Sequence, residues 1–224
     1  MKVDDALATF GTDPVKAADL ARYHKVDRAY LGAQTPAIDA AVKDWRATLD
    51  LDARLVLAAD LWASDVHEGR IAAAKLLTQA RIRPDDSAAW DLIASWVPDC
   101  DGAAIADQVG IAGQKRLVAD PARFDALDAW VTSDHLWTRR AVLLFTQPWT
   151  KQNNPKATDL ALRDRALGWA ATLAADPSKA IQTALVDWLA SLAKHDPACA
   201  AGFIDAKGAA MKSYAVKSAR HKLG

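Results

Sequence analysis

The stretch Asp176-Pro177-Ser178-Lys179-Ala180-Ile181-Gln182-Thr183-Ala184-Leu185-Val186-Asp187-Trp188-Leu189-Ala190-Ser191-Leu192 decides the fold class. It opens on an acid–proline pair. A short polar side chain just before a helix accepts a hydrogen bond from an otherwise orphaned N–H. A proline at the first helical position lacks the N–H that would be orphaned there, and its φ already suits the helix. Behind the pair, Ile181, Ala184, Leu185, Trp188, Leu189 and Leu192 recur at spacings of three and four, the stripe of an amphipathic helix. The pair is repeated along the chain. Six of the nine prolines follow Asp, Thr or Asn: Asp13-Pro14, Thr35-Pro36, Asp120-Pro121, Asn154-Pro155, Asp176-Pro177 and Asp196-Pro197. Each predicts a helix start. After Thr35-Pro36, the residues Ile38, Ala41, Val42, Trp45 and Leu49 form a second stripe. Val66 to Ala80, His135 to Phe145 and Ala103 to Val109 read as further helices. No run alternates apolar with polar residues as a half-buried strand does. About a dozen helices of roughly 8–19 residues joined by short loops predict an all-α chain of helix pairs, which stack most readily into a helical solenoid. With no linker and no low-complexity segment, residues 1–224 read as a single helical-repeat domain.

Composition narrows the function classes. Hydrophobic residues at 51% and charged residues at 25% fit a globular chain and exclude a disordered one. No apolar run approaches the ~18 residues of a membrane span. The start Met1-Lys2-Val3-Asp4-Asp5 has no apolar signal core, which predicts a cytoplasmic address. Cys100 and Cys199 have neither metal-ligand spacing nor a disulfide framework, in keeping with a reducing compartment. The net charge of zero hides a split. Residues 1–137 hold 15 Lys+Arg against 22 Asp+Glu, a net −7, and residues 138–224 hold 13 against 6, a net +7. Either an anionic partner on the basic part or attraction between the two halves accounts for it. Lys207, Lys212, Lys217, Arg220 and Lys222 lie in a tail with no acid after Asp205.

Nine tryptophans stand at 45, 62, 90, 96, 130, 137, 149, 169 and 188. Most are expected in the core between helices, Trp45, Trp62 and Trp130 above all, with a minority lining a surface where an indole packs on a sugar or base. The segment Ala21-Arg22-Tyr23-His24-Lys25-Val26-Asp27-Arg28-Ala29-Tyr30-Leu31-Gly32, followed by Thr35-Pro36, resembles the N-terminal signature of the AlkD-like DNA alkylation-repair proteins. Further segments agree in order: Leu61-Trp62 with Glu68 and Ala72-Ala73-Ala74; Trp90-Asp91; Trp130 with Ser133-Asp134 and Trp137 to Phe145; and Ile181 to Trp188 with Ala193-Lys194 and Pro197.

The resemblance implies a HEAT-like helical-repeat solenoid (an α-α superhelix) with a concave, basic, DNA-binding face. It also implies a DNA glycosylase chemistry that excises purines alkylated at N3 or N7. In such proteins two tryptophans pack against the lesion's sugar and backbone, an aspartate stabilises the oxocarbenium-like sugar, and an arginine holds phosphate. Carried onto this chain, Trp90 and Trp188 match the tryptophans, Arg140 the arginine and Tyr23 a tyrosine near the cleft. Lys25, Lys207 and Lys212 join them as expected DNA contacts. The aspartate position, four residues after Trp90, is Ala94. Asp91 is an acid, but at i+1 it points about 100° around the helix from Trp90. Pro148 stands where the family carries a basic residue, and Asp99 is a further substitute acid.

Three readings follow: a glycosylase with a weakened acid, a non-catalytic binder of duplex DNA (alkylated, damaged or branched), and a protein-binding scaffold. The chain is expected to act as a monomer, away from membranes. No cofactor and no metal are implied. His67-Glu68 lacks a second histidine in zinc register, and Gly110-Ile111-Ala112-Gly113 lacks the P-loop lysine and serine. His135 and His195 read as ordinary, His24 as the histidine nearest a DNA contact, and Ser133-Asp134 as a helix cap.

Overall fold

The computed structural model describes residues 1–223 and is all-α. Among the described residues there are thirteen α-helices: α1 Val3–Ala8, α2 Pro14–His24, α3 Thr35–Thr48, α4 Leu51–Ala63, α5 His67–Leu76, α6 Ser87–Trp96, α7 Ala103–Ala119, α8 Phe124–Trp130, α9 Leu136–Phe145, α10 Ala157–Leu173, α11 Lys179–Ala193, α12 Pro197–Lys207 and α13 Ser213–Leu223. A lone bridge between Ala29 and Val66 is the only β-type pairing among them. The helices gather into two compact units, Met1–Ala119 and Asp120–Gly224.

The acid–proline pairs behave in two ways. Asp13 and Asp196 cap the helices that begin at the next residue, accepting from Val15 and Lys16 and from Cys199. Asp120 caps the short 3-10 turn that leads into α8. The other three pairs lie slightly off the helix start. α3 begins at Thr35 itself, so Gln34 takes the cap position and makes no side-chain cap bond. α10 begins at Ala157, two residues beyond Asn154-Pro155. At Asp176-Pro177 the carboxylate accepts from the Ser178 N–H, and the Ser178 hydroxyl in turn caps α11 through Ala180. The helix predicted over Val66 to Ala80 stops at Leu76, because Arg46 takes the carbonyls of Lys75 and Leu76 that a longer helix would use. Ser133 accepts from the His135 N–H, one step before α9, so it shapes the entry turn and does not cap the helix.

In the first unit α5 is the hub, packed by α3, α4 and α7. Its buried residues are mostly small: Gly69, Ala72, Ala73 and Ala74 let the neighbours approach closely. Glu68 is 1% exposed and receives the N–H groups of Leu31, Gly32 and Ala33. Three successive N–H groups around one carboxylate form an anion nest. Gly32 makes the nest possible: its φ is +74°, and a Cβ there would lie 2.2 Å from the Asp13 carbonyl oxygen.

In the second unit α11 is the hub, packed by α9, α12 and α13. It is apolar nearly all round, with Ile181, Leu185, Trp188, Leu189 and Leu192 wholly buried. Its one buried amide, Gln182, donates to the carbonyls of Ala174 and Asp176 and accepts from the Lys212 N–H.

Candidate functional site

α6 carries the first part of the candidate site. Asp85 accepts from the Ser87 N–H and hydroxyl, which starts the helix. Ala89, Ile93 and Trp96 form its buried stripe. Trp90 and Ala94 are half-buried and, four residues apart, share one face. Asp91 is exposed on the next face round. The face that presents the indole therefore offers a methyl group one turn later, where a carboxylate would stand. Asp99 does not take over that position. It follows Trp90 by nine residues, roughly 13 Å along a helix axis, and its carboxylate accepts from the Trp62 indole N–H at 3.4 Å. Arg70 binds the Asp99 carbonyl and lies 4.7 Å from the Trp62 ring, which itself stacks on Trp96.

The end of α2 carries the next candidates. Tyr23 is 80% exposed and sets its ring edge-on to His24. Lys25 closes the helix in the left-handed conformation and is exposed. His24 is drawn into a ring cluster with Tyr30 and His67, at 6.0 and 4.4 Å. Burial lowers the pKa of His24. His67 falls to about 4, through burial first and then the neighbouring His24 and Arg28. Arg28 itself is held by Asp65 and Asp101. His67 and Glu68 are thus fold-building groups, one in a ring stack and the other in the backbone nest.

In the second unit the structure corrects the sequence reading. Trp188 has no exposed surface, and its indole N–H donates to Thr146 Oγ1 at 3.1 Å. It is a core residue of α11 and lines no surface, because helices pack α11 on several sides. Arg140, expected to hold phosphate, is 9% exposed and lies with its guanidinium carbon 5.6 Å from the Trp137 ring. Trp137 and Trp130 are half-buried, whereas Trp45 and Trp62 are buried as expected. Trp130, placed in the core by its stripe, instead sits edge-on to Phe145 with part of its surface open. The sequence signal for Trp137 was available: a tryptophan three residues before an arginine on one helix is the spacing of a cation–π pair.

Lys207 and Lys212 are exposed, at the end of α12 and just before α13, and Lys217 is exposed on α13. None of the three has an ion pair among the described residues. Their neighbours do: Arg220 lies 3.7 Å from Asp205 and Lys222 lies 2.6 Å from Asp187. Elsewhere Arg139, Arg163 and Arg165 are tied to Asp176, Asp196 and the pair Asp125 and Asp128. Divided at the structural boundary, residues 1–119 hold 14 Lys+Arg against 18 Asp+Glu, a net −4, and residues 120–224 hold 14 against 10, a net +4. The polarity keeps its sign but is weaker than the sequence division suggests, because four acids between 120 and 137 belong to the basic unit.

His135 binds Thr138 on the first turn of α9, and His195 binds Asn153, 42 residues earlier in the chain. Pro148 lies in a 3-10 turn and brings no charge. No group of three or more His, Cys, Asp or Glu able to hold a metal occurs among the described residues. No helix among them is long and apolar enough to cross a membrane.

Comparison with known proteins gives a consistent picture. A family model described as DNA alkylation repair enzyme matches residues 6–223. A solved structure described as a predicted DNA alkylation repair enzyme from Enterococcus faecalis is similar at a TM-score of 0.75 and 16% identity, covering 94% of this chain and 95% of that one. AlkD2 from Streptococcus mutans is similar at a TM-score of 0.61 and 17% identity, over 94% of this chain and 96% of its own. At these identities the likeness shows a shared all-α helical-repeat fold. No curated protein matches the chain.

Proposed function

We propose, because this chain belongs to the DNA alkylation repair enzyme family, that it binds duplex DNA on a basic face and that its capacity to excise N3- or N7-alkylated purines is weakened or lost. The observation that carries the reading is the α6 face on which Trp90 and Ala94 stand together. Breaking an N-glycosidic bond builds positive charge on the sugar. A carboxylate fixed beside that sugar is worth about 3–4 kcal/mol, or about 10²–10³ in rate. Ala94 supplies none of it, and Asp91 points away around the helix. A purine alkylated at N3 or N7 is cationic and leaves readily, so slow release persists where the lesion is held.

Tyr23, Lys25 and Trp90 supply the contacts of the first unit, and Lys207 and Lys212 those of the second, with the C-terminal lysines releasing counterions from phosphates. Two indoles of the second unit, Trp130 and Trp137, are half-exposed, and Trp137 lies beside Arg140. The protein acts as a monomer.

Single-turnover release of 7-methylguanine from duplex DNA tests the chemistry. The wild type is expected close to the spontaneous depurination rate, and Ala94→Asp at least about tenfold above it. A folded, DNA-binding Ala94→Asp protein with no gain would show that this face of α6 is not the reacting one. Binding without release in the wild type fits a DNA-recognition protein. A flat salt response, or no binding at low salt, would leave the protein-binding scaffold as the better account.

A further inference from the structure

The loop between α5 and α6, residues 77–86, is built around a buried arginine. Arg116 of α7 has no exposed surface. Its guanidinium donates to the Gln79 and Ala80 carbonyls at one end of the loop and pairs with Asp86 at the other, at 3.0 Å. These contacts tie the loop to the core at both ends. Ile82 in its middle is buried, while Arg81 and Arg83 on either side are exposed.

The acids of the loop are already engaged. Asp86 is held by Arg116, and Asp85 accepts from Ser87. Arg81 and Arg83 have no ion pair among the described residues. They border an open depression of about 520 Å³ that Ile82, Pro84 and Val118 also line. The first unit is acidic on balance, yet here it presents two guanidinium groups on a braced loop that runs directly into the helix of Trp90. The backbone N–H of Trp90 donates to the carbonyl of Asp86, the last residue of that loop.

We propose that Arg81 and Arg83 form a phosphate-binding loop, which grips the backbone of duplex DNA and sets the approach of the Trp90 helix. The proposal rests on the DNA-binding reading above. Guanidinium forks bind phosphate oxygens in pairs, and a loop already tied down loses little freedom on binding.

The test is a salt titration of duplex DNA binding by the full chain, between about 50 and 200 mM salt. Arg81→Ala/Arg83→Ala is expected to reduce the slope of log K against log salt by about 2, with affinity at low salt falling on the order of 10–100-fold. Arg81→Lys/Arg83→Lys retains the slope, because the charges remain. Lys2→Ala/Lys43→Ala, which removes two exposed charges elsewhere on the same unit, leaves the slope unchanged. Both arginines are exposed, so circular dichroism of the double variant matches the wild type. A double alanine variant that binds with wild-type slope overturns the loop while the DNA reading stands, as does an equal loss in Lys2→Ala/Lys43→Ala. A wild type that does not bind DNA overturns the DNA reading and the loop together.

Discussion

The two units bury their central helices by opposite means. α5 is built of small residues and sinks two titratable side chains among its neighbours, His67 at 5% and Glu68 at 1% exposure. α11 is built of large apolar residues, with Trp188 at its centre and a single satisfied amide. The first hub is held by directed hydrogen bonds, which depend on charge and geometry. The second is held by the packing of apolar volume, which depends on shape and not on charge. The same contrast separates the two tryptophans that a family resemblance pairs: Trp90 lies half-open on α6, and Trp188 lies sealed in α11. Whether an indole is a surface or a core group depends on how many helices enclose the one that carries it.

The largest effect expected from this contrast is Trp188→Ala, which empties the centre of α11 and costs about 4 kcal/mol in a urea titration. Trp90→Ala costs under about 2 kcal/mol and weakens DNA binding instead. Equal stability losses in the two would erase the distinction.

Next comes Glu68→Ala, at about 3 kcal/mol, because it leaves the N–H groups of Leu31, Gly32 and Ala33 without their acceptor. A change of less than about 1 kcal/mol would mean that water fills the nest and the hub is not polar in the sense argued.

The third effect is one of pH. His67 titrates near 6.5 when unfolded and near 4 when folded. As pH falls from 6.5 toward 4, the unfolded chain takes up a proton that the folded one lacks. The stability present above pH 6.5 is therefore lost progressively, by about 2 kcal/mol at pH 5. His67→Phe keeps a ring beside Tyr30 and His24 but cannot titrate, so its stability between pH 7 and 5 should fall less steeply by that amount. Parallel curves would remove His67 as the source.

The smallest effect on folding belongs to the exposed lysines. Lys207→Ala/Lys212→Ala/Lys217→Ala should shift stability by no more than about 0.5 kcal/mol while lowering the salt slope of DNA binding by about 2–3. An unchanged slope would remove the C-terminal lysines from the proposed DNA face.

Helix class and number were legible in the sequence because proline and the short polar residue before it act locally. Asp13 and Asp196 did what their chemistry dictates. Asp176 did so too, two residues early, with Ser178 supplying the cap. The end of α5 was not legible, since Arg46, about thirty residues away, ends it. Of the candidate site, Trp90 and Tyr23 were named through the family resemblance, and helical spacing added only that Ala94 shares the face of Trp90. Trp188 could not be placed, because the stripe on α11 is so broad that every face reads as buried. Arg81 and Arg83 were passed over because a short loop has no period, and the arginine that braces them lies more than thirty residues later.

The Glu68 nest has a consequence for the order of events during synthesis. The backbone it grips, Leu31 to Ala33, leaves the ribosome 35 to 37 residues before the carboxylate that completes it. Until then those three N–H groups lack their carboxylate, and the bond from the Asp13 N–H to the Leu31 carbonyl is what ties the connection to the start of α2. The connection between α2 and α3 therefore gains its anion nest only once α5 has been made.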